Sequence, residues 1–326
     1  MKRRMLLAAA LAAPTVAAPA ILRAQGATWP DKTVRFICPF APGGGTDTVS
    51  RLICDQLTKL LGQQFIVENK GGAGGNIGTT ELARATPDGY TLGLISVASH
   101  TLNPMLYTKL PYDPDKELVA VSRVALLANF LGVTRSLPVN DVAGLIALCK
   151  KEPGKYAFAS SGPGTSLHLS GELFKTMTGV DIQHVPYKGA GAAYGDLIAG
   201  TVHMMFANMP SMLPQVRGGK LKGLAVTSAE RSKSAPDVPT IAETLPGYVA
   251  TSWYGIGAPA GTPEPILAKL EAAIGAALAT PDIQKRWQDD LGLDMPPAGR
   301  AGFAEFLAAD RARWAPAVKA SGVRLD

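Results

Sequence analysis

The chain has 326 residues, 47% of them apolar and 18% charged, with a formal charge of +6. That length and apolar content predict a sizeable core shared between about two domains and exclude a disordered or fibrous chain. Lys2, Arg3, Arg4 and Arg23 stand at the N-terminus without an acid, so the chain beyond Ala24 carries only +2 and offers no basic stripe for nucleic acid.

The first predicted element is an export signal over residues 1–26, MKRRMLLAAALAAPTVAAPAILRAQG. A basic head, an apolar run from Met5 to Leu22 and small residues at Ala24 and Gly26 form a signal peptide. Pro14 and Pro19 argue against a retained membrane anchor, and Arg3-Arg4 leaves both the general and the twin-arginine export routes open. No later apolar run is long enough to cross a bilayer, so the mature protein is expected outside the cytoplasm. Cys38, Cys54 and Cys149 have no metal-binding spacing. An oxidising compartment would allow a Cys38–Cys54 bridge, but their apolar contexts favour small buried thiols. The four histidines, His100, His168, His184 and His203, are scattered, and neither a metal site nor a cofactor is expected.

Beyond residue 27, apolar strands alternate with helical spacings. Val34–Phe40, Phe65–Glu68 and Tyr90–Ser96 read as strands, with a helix carrying Val49, Leu52, Ile53, Leu57, Leu60 and Leu61 after the first and a helical TTELARA after the second. This βαβαβ rhythm predicts a parallel sheet flanked by helices. The rhythm restarts with strands at Asn129–Thr134 and Tyr156–Ser160 and a helix at Val142–Lys150 between them. A helix over Leu167–Thr178, IQHVPY, a helix over Tyr194–Ala199, HMMFAN and LKGLAVT follow. SWYGIGAPAGTP (Ser252–Pro263) reads as a connection back to the first half, and helical segments broken at Pro281 and Pro296-Pro297 complete the chain. The expected division is one α/β lobe over 27–126 plus 254–326 and a second over 127–253.

One glycine-rich strand-to-helix turn stands in each half: CPF-APGGGTD-TVSRL and FAS-SGPGTS-LHLSGEL. Glycine lets backbone approach a ligand closely, and the first turn of a helix offers free N–H groups and a positive dipole end to an anion. Thr46, Asp47, Thr165 and Ser166 are candidate caps, and Ser160, Ser161 and Thr46 candidate hydroxyl donors. Enzyme motifs fail. GGGTDT has no lysine for a phosphate loop, GxGxxG breaks at Thr48 and Leu167, and no GxSxG occurs. Asp47 is expected as a cap rather than a base, and His168 as a packing or hydrogen-bonding residue rather than a partner for Ser160 or Ser161.

WPDKTVRFICPFAPGGGTDTVSRLI, VENKGGAGGNIGTTELARATPDGYTL, HVPYKGAGAAYGDLIAGTVHMMFANMPSMLPQVRGGKLKGLAVT, SAERSKSAPDVPTIAET and WYGIGAPAGTP resemble the solute-binding proteins of tripartite tricarboxylate transporters, the Bug family. The likeness runs from Trp29 to the C-terminus. It implies an α/β periplasmic binding protein of the type II, Venus flytrap kind, with a ligand cleft between two lobes. It also implies a monomer, no enzymatic activity, a small carboxylate ligand and delivery to membrane permease subunits. By the same resemblance the ligand is gripped by Phe40, Ala41, Gly43, Gly44, Thr46 and Asp47 in the first turn and by Ser160, Ser161, Gly164, Thr165 and Ser166 in the second. Ser96, Tyr187 and Asn208 are further carry-overs. Ala207 stands where the family often has an acid. A ligand-binding sensor for a membrane receptor and a secreted hydrolase or lyase are the alternative functions.

Overall fold

A computed structural model describes residues 29–294 and 299–326 of the protein; the export segment and Pro296-Pro297 lie outside them. The first half opens with β1 (Val34–Cys38), α1 (Gly45–Leu61), β2 (Phe65–Asn69), α2 (Asn76–Ala83) and β3 (Thr91–Ser96). β1 lies between β2 and β3 with all three parallel, as the βαβαβ rhythm requires. α1 buries Val49, Leu52, Ile53 and Leu57 on one face, and Gly62 ends it in the left-handed conformation at φ 74°. A wide helical turn (Ala98–Leu102) and the short α3 (Asn103–Leu106) then lead to β4 (Leu118–Thr134).

β4 is the element that joins the halves. From Leu118 to Ala128 it pairs antiparallel with β9 (Thr251–Pro259), itself paired antiparallel with β3. From Asn129 onward it pairs with β7 (Met204–Asn208) on one side and β8 (Leu221–Val226) on the other. Between these lie α4 (Val142–Lys151), β5 (Ala157–Ser160), α5 (Ser166–Thr178), β6 (Gln183–Pro186), α6 (Ala190–Ala199) and, after β7, α7 (Met209–Arg217). β7, β5 and β6 run parallel to one another, so the second half repeats the parallel core of the first. The chain closes with α8 (Glu264–Ala279), α9 (Pro281–Lys285), β10 (Leu293–Asp294) and α10 (Arg300–Ser321). The result is a two-lobe α/β fold in which one sheet path, β2-β1-β3-β9-β4-β7-β5-β6, threads both lobes.

Ser252–Pro259 of SWYGIGAPAGTP therefore lies in a central strand and is not merely a connection. Its glycines answer to packing. A Cβ on Gly255 would stand 2.5 Å from the Phe303 ring, and one on Gly257 would stand 2.7 Å from Ile95 Cγ2. The crossing point is fastened by Thr227, whose hydroxyl accepts the Asn129 N–H at 2.8 Å and donates to the Ala250 carbonyl at 2.7 Å. Beside it, the buried Asp310 of α10 accepts from Trp253 Nε1 at 2.8 Å and Thr101 Oγ1 at 2.7 Å and pairs with Arg313. A buried carboxylate is tolerated only when paired and hydrogen-bonded in this way. α10 packs on α5 as well as on β4, so the C-terminal helix leans on both lobes. Cys38, Cys54 and Cys149 are free and buried.

Candidate functional site

The two lobes meet around one cavity lined by Phe40, Thr46 and Ser96 from the first and by Ser161, Thr165, Ser166 and Asn208 from the second. Gly45, Val97, Ala98, Leu167, Ala190, Ser252 and Tyr254 complete the lining. The space is narrow, about 20 Å³ on a measure where one water needs roughly 10–15 Å³. The lobes stand closed around it.

Four helices begin at this cavity. Gly45 and Thr46 open α1, Ser166 and Leu167 open α5, Ala190 opens α6, and Asn208 is the residue before α7. α1, α6 and α7 have no side chain capping their N-termini; only α5 is capped, by Thr165 accepting from the His168 N–H at 3.4 Å. Among the described residues no Asp, Glu, Lys, Arg or His lines the cavity. Its electrostatic character therefore comes from helix dipoles, each worth roughly half a positive charge at its N-terminus, or about two charges together.

The remaining expected residues stand outside the lining, each with another engagement. Asp47 turns away from the cavity, accepting from the Gly43 N–H at 3.0 Å, from Arg51 at 3.1 Å and from Asn69 at 2.9 Å. Burial opposes its ionisation, but the hydrogen bonds from Arg51, Gly43 and Asn69 outweigh that and hold the carboxyl below its usual range. The Gly43 amide is thereby occupied, and Gly44, not Asp47, is the N-cap of α1. The Ala41 N–H reaches across the cleft to the Lys188 carbonyl at 3.2 Å, and Gly44 stands against Ala190 and Gly191. Tyr187 donates to Asp196 at 2.6 Å.

Ser160 and Gly164 belong to a histidine cluster behind the second turn. Ser160 Oγ lies 2.6 Å from His184 Nε2, so its partner is His184 and not His168. His168 Nδ1 accepts the Gly164 N–H at 3.3 Å, and because an amide can only donate, this fixes the ring as the neutral Nε2–H tautomer. The rings of His168 and His184 stack at 4.0 Å. Burial depresses His168 to about 3 and His184 to about 4; the neighbouring His184 adds to the effect on His168. Their folded pKa values lie below the unfolded histidine value, so the stability they contribute is present above about pH 6.5 and is lost as pH falls. Denaturant unfolding between pH 6.5 and 4.5 is expected to show stability falling by about 1 kcal/mol per pH unit for the buried His168 alone. His168→Gln, which keeps an acceptor but does not titrate there, is expected to make that slope shallower. An unchanged slope would contradict the assignment.

Sequence reasoning missed two residues of the lining with chemical potential. Tyr254 and Ser252 come from β9, which read as a connection, and Gly45 and Ala190 mark helix starts that the two-turn view did not weigh together. Asn208 is tied to the crossing point: its Nδ2 donates to Asn129 Oδ1 at 2.7 Å, and Asn129 Nδ2 donates to Ser170 Oγ at 3.0 Å. Ser170 Oγ in turn donates to the carbonyl of the lining residue Ser166 at 2.7 Å. A continuous polar chain therefore runs from two points of the cavity wall to the strand that joins the lobes.

Two α/β lobes meeting around one cavity are the architecture of solute-binding proteins of the flytrap class. Within that class the chain belongs to the tripartite tricarboxylate transporter family receptors, whose sequence pattern matches residues 49–323. It is 38% identical over 303 residues to BugT of Bordetella pertussis, an alignment covering 91% of this chain and 92% of that one. Among solved structures it is similar to an R. palustris protein with adipate, at 37% identity and a TM-score of 0.88, covering 91% of this chain and 99% of that one. MatC from Rhodopseudomonas palustris with bound malate matches at 35% identity and a TM-score of 0.84, covering 89% of this chain and all of the other (100%). Among the described residues no helix is long and apolar enough to cross a membrane, and no cluster of candidate metal ligands occurs.

Proposed function

We propose that this chain is a periplasmic receptor, exported and freed of residues 1–26, that traps a dicarboxylate between its lobes. It then delivers that acid, as a monomer, to the membrane permease of a tripartite tricarboxylate transporter. The observation that carries this is the convergence of four helix N-termini on a cavity that, among the described residues, no charged side chain lines. Dipoles amounting to about two positive charges match a dianion. Adipate and malate, held by the two solved relatives, are both dicarboxylates. The absence of an acid from the lining leaves nothing to meet the ammonium of an amino acid. Ser160 and His184 stay outside the lining, which supports retention of the ligand rather than turnover.

In this reading lobe one is 27–126 plus 254–326 and lobe two is 127–253. The ligand docks while the lobes are apart and shifts the equilibrium toward the closed state through its tighter binding there. Thermal unfolding of the mature protein tests the proposal. Adipate or malate at a hundred times its dissociation constant should add about 2.7 kcal/mol of stability, whereas the corresponding diamide adds none. The acid should also be recovered unchanged. Equal stabilisation by the diamide, or none by any dicarboxylate, would overturn it.

A further inference from the structure

Two hydroxyls of the cavity wall are wholly shielded from solvent and have no hydrogen-bond partner among the described residues. Tyr254 Oη and Ser96 Oγ are both buried without a hydrogen bond, in residues only 1% and 3% exposed. This is costly: a buried hydroxyl left unpaired loses its hydration and receives nothing in return. The two are not scattered. Ser96, the last residue of β3, is the direct antiparallel partner of Tyr254 on β9, so their side chains rise on the same face of the sheet. Both line the cavity.

The surroundings show how the two hydroxyls are kept free. The backbone N–H and C=O of Ser96 are both satisfied by Ser99 Oγ, at 3.0 and 3.1 Å, which leaves the Ser96 hydroxyl with no local task. The Tyr254 hydroxyl lies against the first turn of α1, where a Cβ on Gly45 would stand 3.0 Å from it. Glycine at that position keeps the space between the phenol and the α1 N-terminus open. Burial raises the phenol pKa well above its ordinary value, so the group remains an O–H donor at any pH the protein meets.

We infer that Tyr254 is a ligand-binding residue: beside Ser96, which the family resemblance already places at the ligand, and with the α1 amides, its hydroxyl forms the lobe-one half of the site and donates to a carboxylate of the bound acid. This rests on the carboxylate reading above and names a residue that recognises the ligand within it. The pair gives lobe one neutral, fixed donors, so the acid can dock on that wall before lobe two closes over it. Hydroxyls that can also accept leave room on this wall for an acid bearing a hydroxyl group, such as malate, beside an unsubstituted one.

The test is calorimetry with adipate and malate on Tyr254→Phe, Ser96→Ala and the wild type, paired with thermal unfolding of each ligand-free protein. A hydrogen bond to a charged group predicts that Tyr254→Phe weakens binding by about tenfold to a hundredfold, with a smaller loss for Ser96→Ala. The ligand-free Tyr254→Phe protein should melt at or above the wild-type temperature, because the change removes an unpaired buried hydroxyl. A tyrosine with a merely structural role would show the reverse, a lowered melting temperature with unchanged affinity, and that result overturns the inference. So does wild-type affinity in both variants, which would assign the hydroxyls to ordered water. If the wild type itself binds neither acid, the carboxylate reading fails first and takes this inference with it.

Discussion

Gly191→Ala is expected to fold at least as well as the wild type and to lose dicarboxylate binding by about a hundredfold or more. Gly191 is the second residue of α6, where alanine is the better helix former, so the ligand-free protein should gain up to about 1 kcal/mol from the change. Across the cleft, however, the added Cβ would stand 1.8 Å from the Pro42 carbonyl oxygen and 2.9 Å from the Gly43 carbonyl carbon. Both are backbone atoms and have no rotamer through which to yield. The same crowding recurs along the rim, where a Cβ on Gly74 would meet the Pro163 carbonyl at 2.0 Å and one on Gly71 the Lys188 carbonyl at 2.6 Å. Closure is thus a glycine seam, and a single methyl at its α6 end holds the lobes apart. Small-angle scattering on Gly191→Ala with saturating adipate should keep the dimensions of the open form. Wild-type affinity in this variant would mean that the bound state is not the closed state described.

Gly45→Val is expected to abolish binding by a different route. Its Cβ would stand 2.9 Å from Asn208 Cβ and 3.0 Å from Tyr254 Oη, both residues of the cavity lining. The side chain would occupy the ligand's place against the α1 N-terminus and also push on the lobe-two wall at Asn208. Calorimetry should detect no heat of binding, while circular dichroism remains that of the wild type. A Cβ on Gly44, the neighbouring glycine of the same turn, would stand 3.5 Å from Ala190 Cβ, 3.6 Å from Gly191 N and 3.7 Å from Ala190 N, all ordinary contacts, so Gly44→Ala should be mild by comparison. Similar losses at both positions would mean that the backbone of the turn, rather than the space beside it, controls binding.

Much of this was legible in the sequence because the chemistry is written in local pattern. Strand, glycine turn and helix appear in order at Cys38–Thr48 and Phe158–Leu167, and the helices that follow them bury the faces their spacing predicts. The parallel trio β1, β2 and β3 follows from the same rhythm. What the sequence obscured was tertiary. In β9, Gly255, Gly257 and Pro259 look like loop punctuation, yet the two glycines exist because Phe303 and Ile95 leave no room for a Cβ. The first half of β4 was missed for a related reason: Leu118–Ala128 becomes a strand through pairing with β9, more than a hundred residues away. Ser160 finds His184 only because β5 and β6 are neighbours in the sheet, placing Ser160 beside Pro186. Ser96 was named from the family resemblance, but Tyr254 was not: it matters because its hydroxyl lacks a partner, and a missing partner has no sequence signature.

The capping pattern carries a similar lesson. Asp47 sits where a helix cap is expected, but its carboxylate is committed to Gly43, Arg51 and Asn69, which stiffens the turn and keeps negative charge out of the cavity. α1, α6 and α7 are left without side-chain caps where they begin, so their N-termini remain available to a guest. Fold stability and ligand recognition thus draw on separate atoms of the same turn.

The most direct measurement is a crystal structure of the mature protein with adipate bound. The account predicts carboxylate oxygens within hydrogen-bond reach of first-turn amides of α1 and α5, with the Tyr254 hydroxyl donating to one of them and no arginine or lysine in contact. Adipate bound through a basic side chain, or seated anywhere other than the cavity between the two glycine turns, would contradict it.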